Sequence, residues 1–132
     1  MLKIKNLNLL KSELLKKGAA AKNYINDNVL VPENIQYDSL TLASENKSKN
    51  VMWSCPNVSK LNENWVIALN DLNHNKIHIL HIQAETYNQR VFKHRKENLN
   101  LLNFEIAIEH GRYIETKSGI DLTDYVELVI NY

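Results

Sequence analysis

The sequence predicts an α+β fold, in which an N-terminal helix and a C-terminal helix pack on a mostly antiparallel or mixed β-sheet of about six strands. Three observations predict this class. Apolar residues recur at helical spacing near the start, short apolar segments alternate with polar turns through the middle, and helical spacing returns near the end. Strands joined by short turns favour antiparallel neighbours. With 132 residues, 44% of them hydrophobic, the chain is predicted to form a single domain over residues 1–132.

The first predicted element is an amphipathic helix. Its apolar stripe is formed by Leu7, Leu10, Leu14, Gly18, Ala21 and Ile25. Glycine is a weak helix former, so Gly18 either lies within one helix or divides it into two pieces. Asp27-Asn28 and then Pro32 supply the end of the helix.

Three pairs of strands are predicted next. Residues 35–55 read as two strands, IQYDSLTLAS and VMWSC, joined by the polar segment ENKSKN. WVIALN and KIHILHI flank the turn DLNHN and predict a hairpin. FEIAIE at 104–109 and RYIETK at 112–117 predict a second hairpin around His110-Gly111.

Two further helices are expected in the second half of the chain. A short helix is predicted within residues 84–97, starting at Thr86, whose hydroxyl can cap a free backbone N–H. Asp121 is predicted to cap a final helix. The apolar residues of that helix recur at helical intervals: Leu122, Tyr125, Val126, Val129 and Ile130.

Composition excludes several classes of function. The net charge is +1 and the pI is about 7.8, so any basic surface must be local. Cys55 is the only cysteine, which excludes an intramolecular disulfide and a thiolate metal cluster. The longest apolar runs, such as WVIAL, are far shorter than the roughly 20 residues that cross a bilayer. The protein is therefore expected to be cytoplasmic, with no membrane partner.

The stretch GRYIETKSG carries the most specific chemical pattern, Glu115-x-Lys117 at the end of a predicted strand. This pattern resembles the second half of the motif in the restriction-endonuclease-like PD-(D/E)xK nucleases. The resemblance implies that Glu115 binds Mg²⁺ and that Lys117 holds the attacking water, with Glu105 or Asp38 supplying a second carboxylate. The metal ligands it favours are Glu115 and Asp38.

Two alignments to that motif stay open. In the first, Glu105 is the other acid, and the β-turn decides whether it can reach Glu115. A two-residue turn at His110-Gly111 places the two on opposite faces of the sheet, whereas a three-residue loop places them directly across from each other. In the second, Asp38 is the acid and Glu13 of the first helix an auxiliary ligand. The strand that follows then presents Trp53-Ser54-Cys55, which makes the site degenerate. Alternatively, Glu115 and Lys117 are solvated strand charges.

A basic run lies between the two predicted hairpins. Arg90, Lys93, Arg95 and Lys96 surround Phe92 and His94 and are predicted to contact the phosphates of a nucleic acid, with Phe92 packed on a base or in the core. Alternatively, the run is the solvated face of a short helix, with Phe92 as its core anchor.

Other residue types that often carry chemistry have simpler interpretations. Trp53 and Trp65 are interpreted as core residues, and Cys55 as a small buried residue. Three histidines, His74, His78 and His81, invite comparison with a zinc site, but strand alternation separates them.

These observations favour a small restriction-endonuclease-like domain that interacts with nucleic acid, either as a Mg²⁺-dependent phosphodiesterase or as a degenerate relative. The alternative is a non-enzymatic protein-binding module such as an immunity protein, a phage-encoded inhibitor or an assembly subunit. Small size and polar hairpin edges are compatible with both.

Overall fold

The computed structural model describes residues 35–46 and 51–131, together with 2–3, 12, 15–16 and 31–32. The strands are β1 (Leu2–Lys3), β2 (Val31–Pro32), β3 (Ser39–Asn46), β4 (Val51–Ser54), β5 (Trp65–Asp71), β6 (Lys76–Ile82), β7 (Phe104–Glu109), β8 (Arg112–Glu115), β9 (Ile120–Asp121) and β10 (Val126–Asn131). The described residues also form three short 3₁₀ turns, at Val58–Asn62, Gln89–Val91 and Thr123–Tyr125.

The main sheet has eight strands in the order β10-β6-β5-β3-β4-β7-β8-β9, and β1 pairs with β2 separately. Neighbours are antiparallel except for β3 and β5, which run parallel. Strand β3 changes partner along its length: residues 39–44 pair with β5, whereas Glu45 and Asn46 pair with β4. The sheet therefore divides at β3 and β4 into two halves of four strands each.

The two halves enclose one apolar core. On β5 the alternate residues Trp65, Ile67 and Leu69 face this core, and on the other half Phe104 of β7 meets them. The rings of Trp65 and Phe104 lie 5.4 Å apart, a distance typical of tilted aromatic contacts. Strand β5 is buried along its whole length, which explains its nearly continuous apolar sequence.

Both predicted hairpins are confirmed. Strands β5 and β6 pair from Trp65↔Ile82 to Asp71↔Lys76. Strands β7 and β8 pair through Glu109↔Arg112, leaving His110 and Gly111 as a two-residue turn. Both turn residues have positive φ, 51° and 75°, as a type I′ turn requires.

The predicted α+β class is wrong, because the described chain is β-rich and its last segment is a strand. The predicted C-terminal helix is instead the 3₁₀ turn Thr123–Tyr125 followed by β10, which pairs with β6. The register shifts between Val126 and Leu128, forming a β-bulge. A bulge interrupts the two-residue alternation, so the apolar residues fall at intervals of three and four that imitate a helix.

The short helix predicted from Thr86 is also wrong. The Thr86 hydroxyl donates to the Gln83 carbonyl in a turn, and only Gln89–Val91 forms a 3₁₀ turn, capped by the side chain of Asn88.

The apolar stripe of the predicted N-terminal helix, and with it Glu13, lies outside the described residues. Ser12, Leu15 and Lys16 have helical backbone conformation. Within the described residues, no helix is long and apolar enough to cross a membrane.

Candidate nucleic-acid interface

Glu115, the centre of the nuclease-like motif, is fully buried and supports a turn. One carboxylate oxygen accepts hydrogen bonds from the backbone N–H groups of Glu105 (2.9 Å) and Lys117 (3.2 Å). The other accepts from the N–H of Ser118 at 2.9 Å. This carboxylate thereby satisfies three backbone N–H donors around the turn that follows β8.

The turn register separates the two carboxylates of the first alignment. Ile106 lies opposite Glu115, so Glu105 faces the other side of the sheet. There its carboxylate accepts a hydrogen bond from the Thr116 hydroxyl at 2.6 Å. Lys117 is exposed in the turn after β8. The geometry brings Glu115 and Glu105 together through backbone contacts, and their carboxylates do not converge on a common metal position.

Asp38 also has a local structural role. Its carboxylate accepts a hydrogen bond from the backbone N–H of Asn64 at 2.9 Å, and its own N–H donates to the Asn64 carbonyl at 2.8 Å. These two bonds tie the start of β3 to the start of β5. Strands β4 and β7 lie between β3 and β8 in the sheet, so Asp38 and Glu115 belong to different halves.

The histidines point in different directions. His78 faces the core, His81 lies on the opposite face of β6, and His74 is in the turn with 69% of its side chain exposed. Among the described residues no group of three metal-binding side chains could hold an ion.

The predicted basic run lies at the surface, on either side of the buried residue Phe92. Phe92 is buried, with its ring 5.5 Å from that of Phe104, which confirms its interpretation as a core anchor. Arg90, Lys93 and Lys96 are exposed. None of these three forms an ion pair with any residue that the structure describes.

Arg95 lies over the ring of Trp53, with its guanidinium carbon 5.3 Å from the ring centroid. Trp53 is 46% exposed, so its interpretation as a core residue is wrong, whereas Trp65 is fully buried. Arg95 also donates to the sulfur of Cys55 at 3.0 Å and to the carboxylate of Glu97 at 3.0 Å. Burial of Cys55 is only partial. An arginine over an exposed indole combines a positive charge with an aromatic face.

Hydrogen bonds hold the basic run against this tryptophan. The indole N–H of Trp53 donates to the Asn103 side chain at 2.7 Å, and the Asn103 backbone N–H donates to the Lys93 carbonyl at 2.8 Å. His94 lies between the carbonyls of Leu99 (2.7 Å) and Gln89 (3.0 Å). We define the basic–aromatic surface as Trp53, Arg90, Lys93, Arg95 and Lys96.

The charge of this surface is local, as the near-neutral composition requires. Its four basic side chains are accompanied by the carboxylates of Glu97 and Glu105, the latter paired with Trp53 across the strands. On this surface the positive charge therefore exceeds the negative charge by a modest amount, and the exposed indole of Trp53 is its distinguishing feature.

Two features were not predicted from the sequence. One is a buried chain of hydrogen bonds: Nε2 of His78 lies 3.0 Å from Asp71, and Nδ1 lies 2.6 Å from the hydroxyl of Tyr113. Asp71 also contacts His74 at 2.9 Å. The sequence does contain a signal for this buried chain. Strand alternation places Asp71 and His78 on the same face of the hairpin as its core-facing apolar residues.

The other is an open cleft of about 460 Å³ beside the basic run. Its lining comes from the 3₁₀ turn after β4 and from the segment after β6: Val58, Ser59, Leu61, Asn62, Glu85, Tyr87, Asn88 and Gln89. No local motif in the sequence indicates it, because the two segments are far apart along the chain.

Comparisons with protein-family models, with curated proteins and with solved structures found no match for this chain.

Proposed function

We propose that this protein binds single-stranded nucleic acid through the basic–aromatic surface. The observation that carries the proposal is the guanidinium of Arg95 stacked on the exposed ring of Trp53, within a group of cations. Proteins that bind single strands combine aromatic rings, on which unpaired bases stack, with cations that follow the phosphates. A base stacked on Trp53 must be unpaired, which favours a single strand over a duplex.

The geometry favours binding without hydrolysis. A Mg²⁺-dependent phosphodiesterase needs carboxylate oxygens that converge on the metal, and Glu115 already uses both oxygens to accept backbone hydrogen bonds. Glu105 and Asp38 are each engaged elsewhere. Catalysis through these residues would require the turn after β8 to rearrange.

Fluorescence anisotropy with a labelled single-stranded oligonucleotide tests the proposal. Trp53→Ala should weaken binding by about 5- to 150-fold, the range expected for one base stacked on an aromatic ring. Lys93→Gln and Lys96→Gln should each weaken binding. Each should also make the negative slope of log affinity against log salt shallower by about 0.7, since one phosphate contact is lost. Lys76→Gln is the matched control, because Lys76 lies on β6, in the other half of the sheet from β4, which carries Trp53.

The same samples distinguish the alternatives. Equal binding by wild type and Trp53→Ala, or equal sensitivity to Lys76→Gln, would contradict the proposal. Incubation with Mg²⁺ followed by gel analysis tests hydrolysis, and cleavage that Glu115→Gln abolishes would restore the nuclease hypothesis.

A protein partner is the second candidate, favoured by two exposed apolar side chains beside the basic run. Val91 and Leu99 are 45% and 70% exposed. If the protein binds no oligonucleotide but Leu99→Ser abolishes capture of a protein partner, the surface serves protein recognition instead.

A further inference from the structure

The cleft beside the basic run has the size and lining of a ligand site. Its volume of about 460 Å³ lies within the range of about 300–1,000 Å³ that small-molecule sites occupy. Val58, Leu61 and the ring of Tyr87 supply apolar wall, and carboxylate and amide side chains supply polar groups. We propose that this cleft binds a guanine base of the bound strand, with Glu85 as the residue that selects it. The inference rests on the proposed function.

The position of the cleft connects it to the basic–aromatic surface. Its lining ends at Gln89, and the next residue is Arg90. Gln89 and Arg90 belong to one 3₁₀ turn, whose Gln89 carbonyl lies 3.0 Å from the ring of His94. A strand whose phosphates follow the basic run therefore passes the mouth of the cleft, where one base can turn in.

The backbone around Glu85 is held in place. Glu85 has a positive φ of 63°, a conformation that non-glycine residues seldom adopt and that persists only where the surroundings impose it. Its N–H donates to the Leu61 carbonyl at 2.8 Å, which joins the two walls of the cleft. The preceding N–H, of Ala84, donates to the Asn64 side chain at 3.1 Å. A binding group on a fixed backbone loses little freedom when the ligand enters.

The chemistry of the lining selects the base. An ionised carboxylate only accepts hydrogen bonds, so Glu85 favours a base edge with two adjacent donors. Guanine offers N1–H and the N2 amino group side by side. Adenine and cytosine present an amino group next to an acceptor, and uracil or thymine flanks its single N–H with two carbonyls. These three bases would each bring an acceptor towards the carboxylate.

Amide side chains in the lining can supply the hydrogen-bond donor that the O6 atom of guanine requires. The side-chain oxygen of Asn88 already accepts from the Arg90 N–H at 2.9 Å, so its amino group is the part left to donate. The side chains of Asn62 and Gln89 are exposed in the same lining. An amide N–H donor in the same lining as Glu85 matches the O6 acceptor of guanine, which adjoins N1–H.

Labelled oligothymidylates that differ at one central base test the inference. The central position carries guanine, hypoxanthine, adenine or thymine. Guanine should bind about tenfold more tightly than adenine or thymine, in the range of one well-placed polar pair. Hypoxanthine, which lacks the N2 amino group, should lose most of that advantage.

Glu85→Gln should reduce the ratio of guanine-strand affinity to all-thymine-strand affinity to about one, whatever the change in absolute affinity that the lost charge brings. Glu109→Gln makes the same chemical change at the exposed β7–β8 turn and should preserve the preference. Circular dichroism of both variants checks that they fold.

The outcomes separate the two proposals. If no oligonucleotide binds, the proposed function fails. If all four strands bind equally, if another base is preferred, or if Glu85→Gln keeps the guanine preference, the assignment of the cleft is overturned and binding through the basic–aromatic surface stands.

Discussion

The hydroxyl of Tyr113 lies 2.6 Å from Nδ1 of His78, although four strands separate β8 from β6 in the sheet. The contact exists because the two halves of the sheet face each other across the core. The carboxylate of Asp71 only accepts hydrogen bonds, so Nε2 of His78 donates to it and Nδ1 of the neutral ring accepts from Tyr113. One buried chain of polar groups thus joins β5, β6 and β8.

Removing the Tyr113 hydroxyl is expected to destabilise the fold. Tyr113→Phe leaves Nδ1 of His78 buried without a donor, which costs about 1–3 kcal/mol. The matched control is Tyr125→Phe, because the hydroxyl of Tyr125 meets that of Tyr87 at 3.0 Å in a partly exposed position, where water can replace it. Urea unfolding of the three proteins measures the difference. Equal losses for the two variants would contradict a special role for the buried chain.

Protonation of His78 is expected to make stability fall in mild acid. Burial lowers the pKa of His78 below its ordinary 6.5, although the hydrogen bond to Asp71 opposes this. Lys76 and His74 lower it further. Because the folded state then binds fewer protons than the unfolded state, stability is fully present above pH 6.5 and is lost as the pH falls towards the folded pKa.

Unfolding free energies between pH 8 and pH 5 measure this effect. His78→Gln removes the titrating group and should make the decline shallower than in the wild type. An unchanged decline in this variant would show that other groups account for it.

Glu115 is expected to contribute to stability rather than to metal binding. Both of its oxygens accept backbone N–H groups, so Glu115→Gln turns an amide N–H towards at least one of those donors and should cost about 1–3 kcal/mol. Glu105→Gln is the control. Within the described part of the chain, the Glu105 carboxylate accepts one hydrogen bond, from the Thr116 hydroxyl. An amide oxygen can also accept it, so the cost should stay within about 0.5 kcal/mol.

Thermal unfolding with and without Mg²⁺, at constant ionic strength, provides the second measurement. We expect the midpoint of thermal unfolding to be the same with and without Mg²⁺. A rise that is specific to Mg²⁺ and absent in Glu115→Gln would instead indicate that the carboxylate binds the ion.

The hairpins could be predicted from sequence because their information is local. His110-Gly111 provides two residues that accept positive φ, and the flanking segments alternate in polarity. The final segment of the described chain, Val126–Asn131, carries no local signal of this kind. Val126–Asn131 becomes a strand because the edge of β6 is free to pair with it, and its bulge hides the alternation that would identify a strand.

The candidate site was predictable only in part. The basic residues were found because they are consecutive in the chain. The exposure of Trp53 depends on its neighbours in space: Met52 takes the buried side of β4, and Trp53 is left on the outer side opposite Glu105. Likewise, Glu115-x-Lys117 gives the spacing of a motif but not the direction of either side chain, which the two-residue turn determines.

Asp121 is expected to titrate at unusually low pH. Hydrogen bonds from the Thr123 hydroxyl and from Arg112 lower the pKa of this carboxyl to about 2. Thr123→Val and Arg112→Gln should each raise the pKa of Asp121, because each removes one of these hydrogen bonds. Carboxyl-carbon NMR titration measures the values directly. A midpoint near 3.8 in the wild type would mean that these hydrogen bonds do not persist in solution.

The two tryptophans are expected to respond oppositely to substitution. Trp65 is fully buried, packs on Phe104 and donates its indole N–H to the Thr41 hydroxyl at 2.8 Å, so Trp65→Ala should cost about 3–5 kcal/mol. Trp53 is 46% exposed, and Trp53→Ala should therefore cost far less stability while weakening nucleic-acid binding. Unfolding by urea and oligonucleotide binding, measured on the same preparations, separate the two roles. A Trp53→Ala variant that loses as much stability as Trp65→Ala would place Trp53 in the core and remove the aromatic part of the proposed interface.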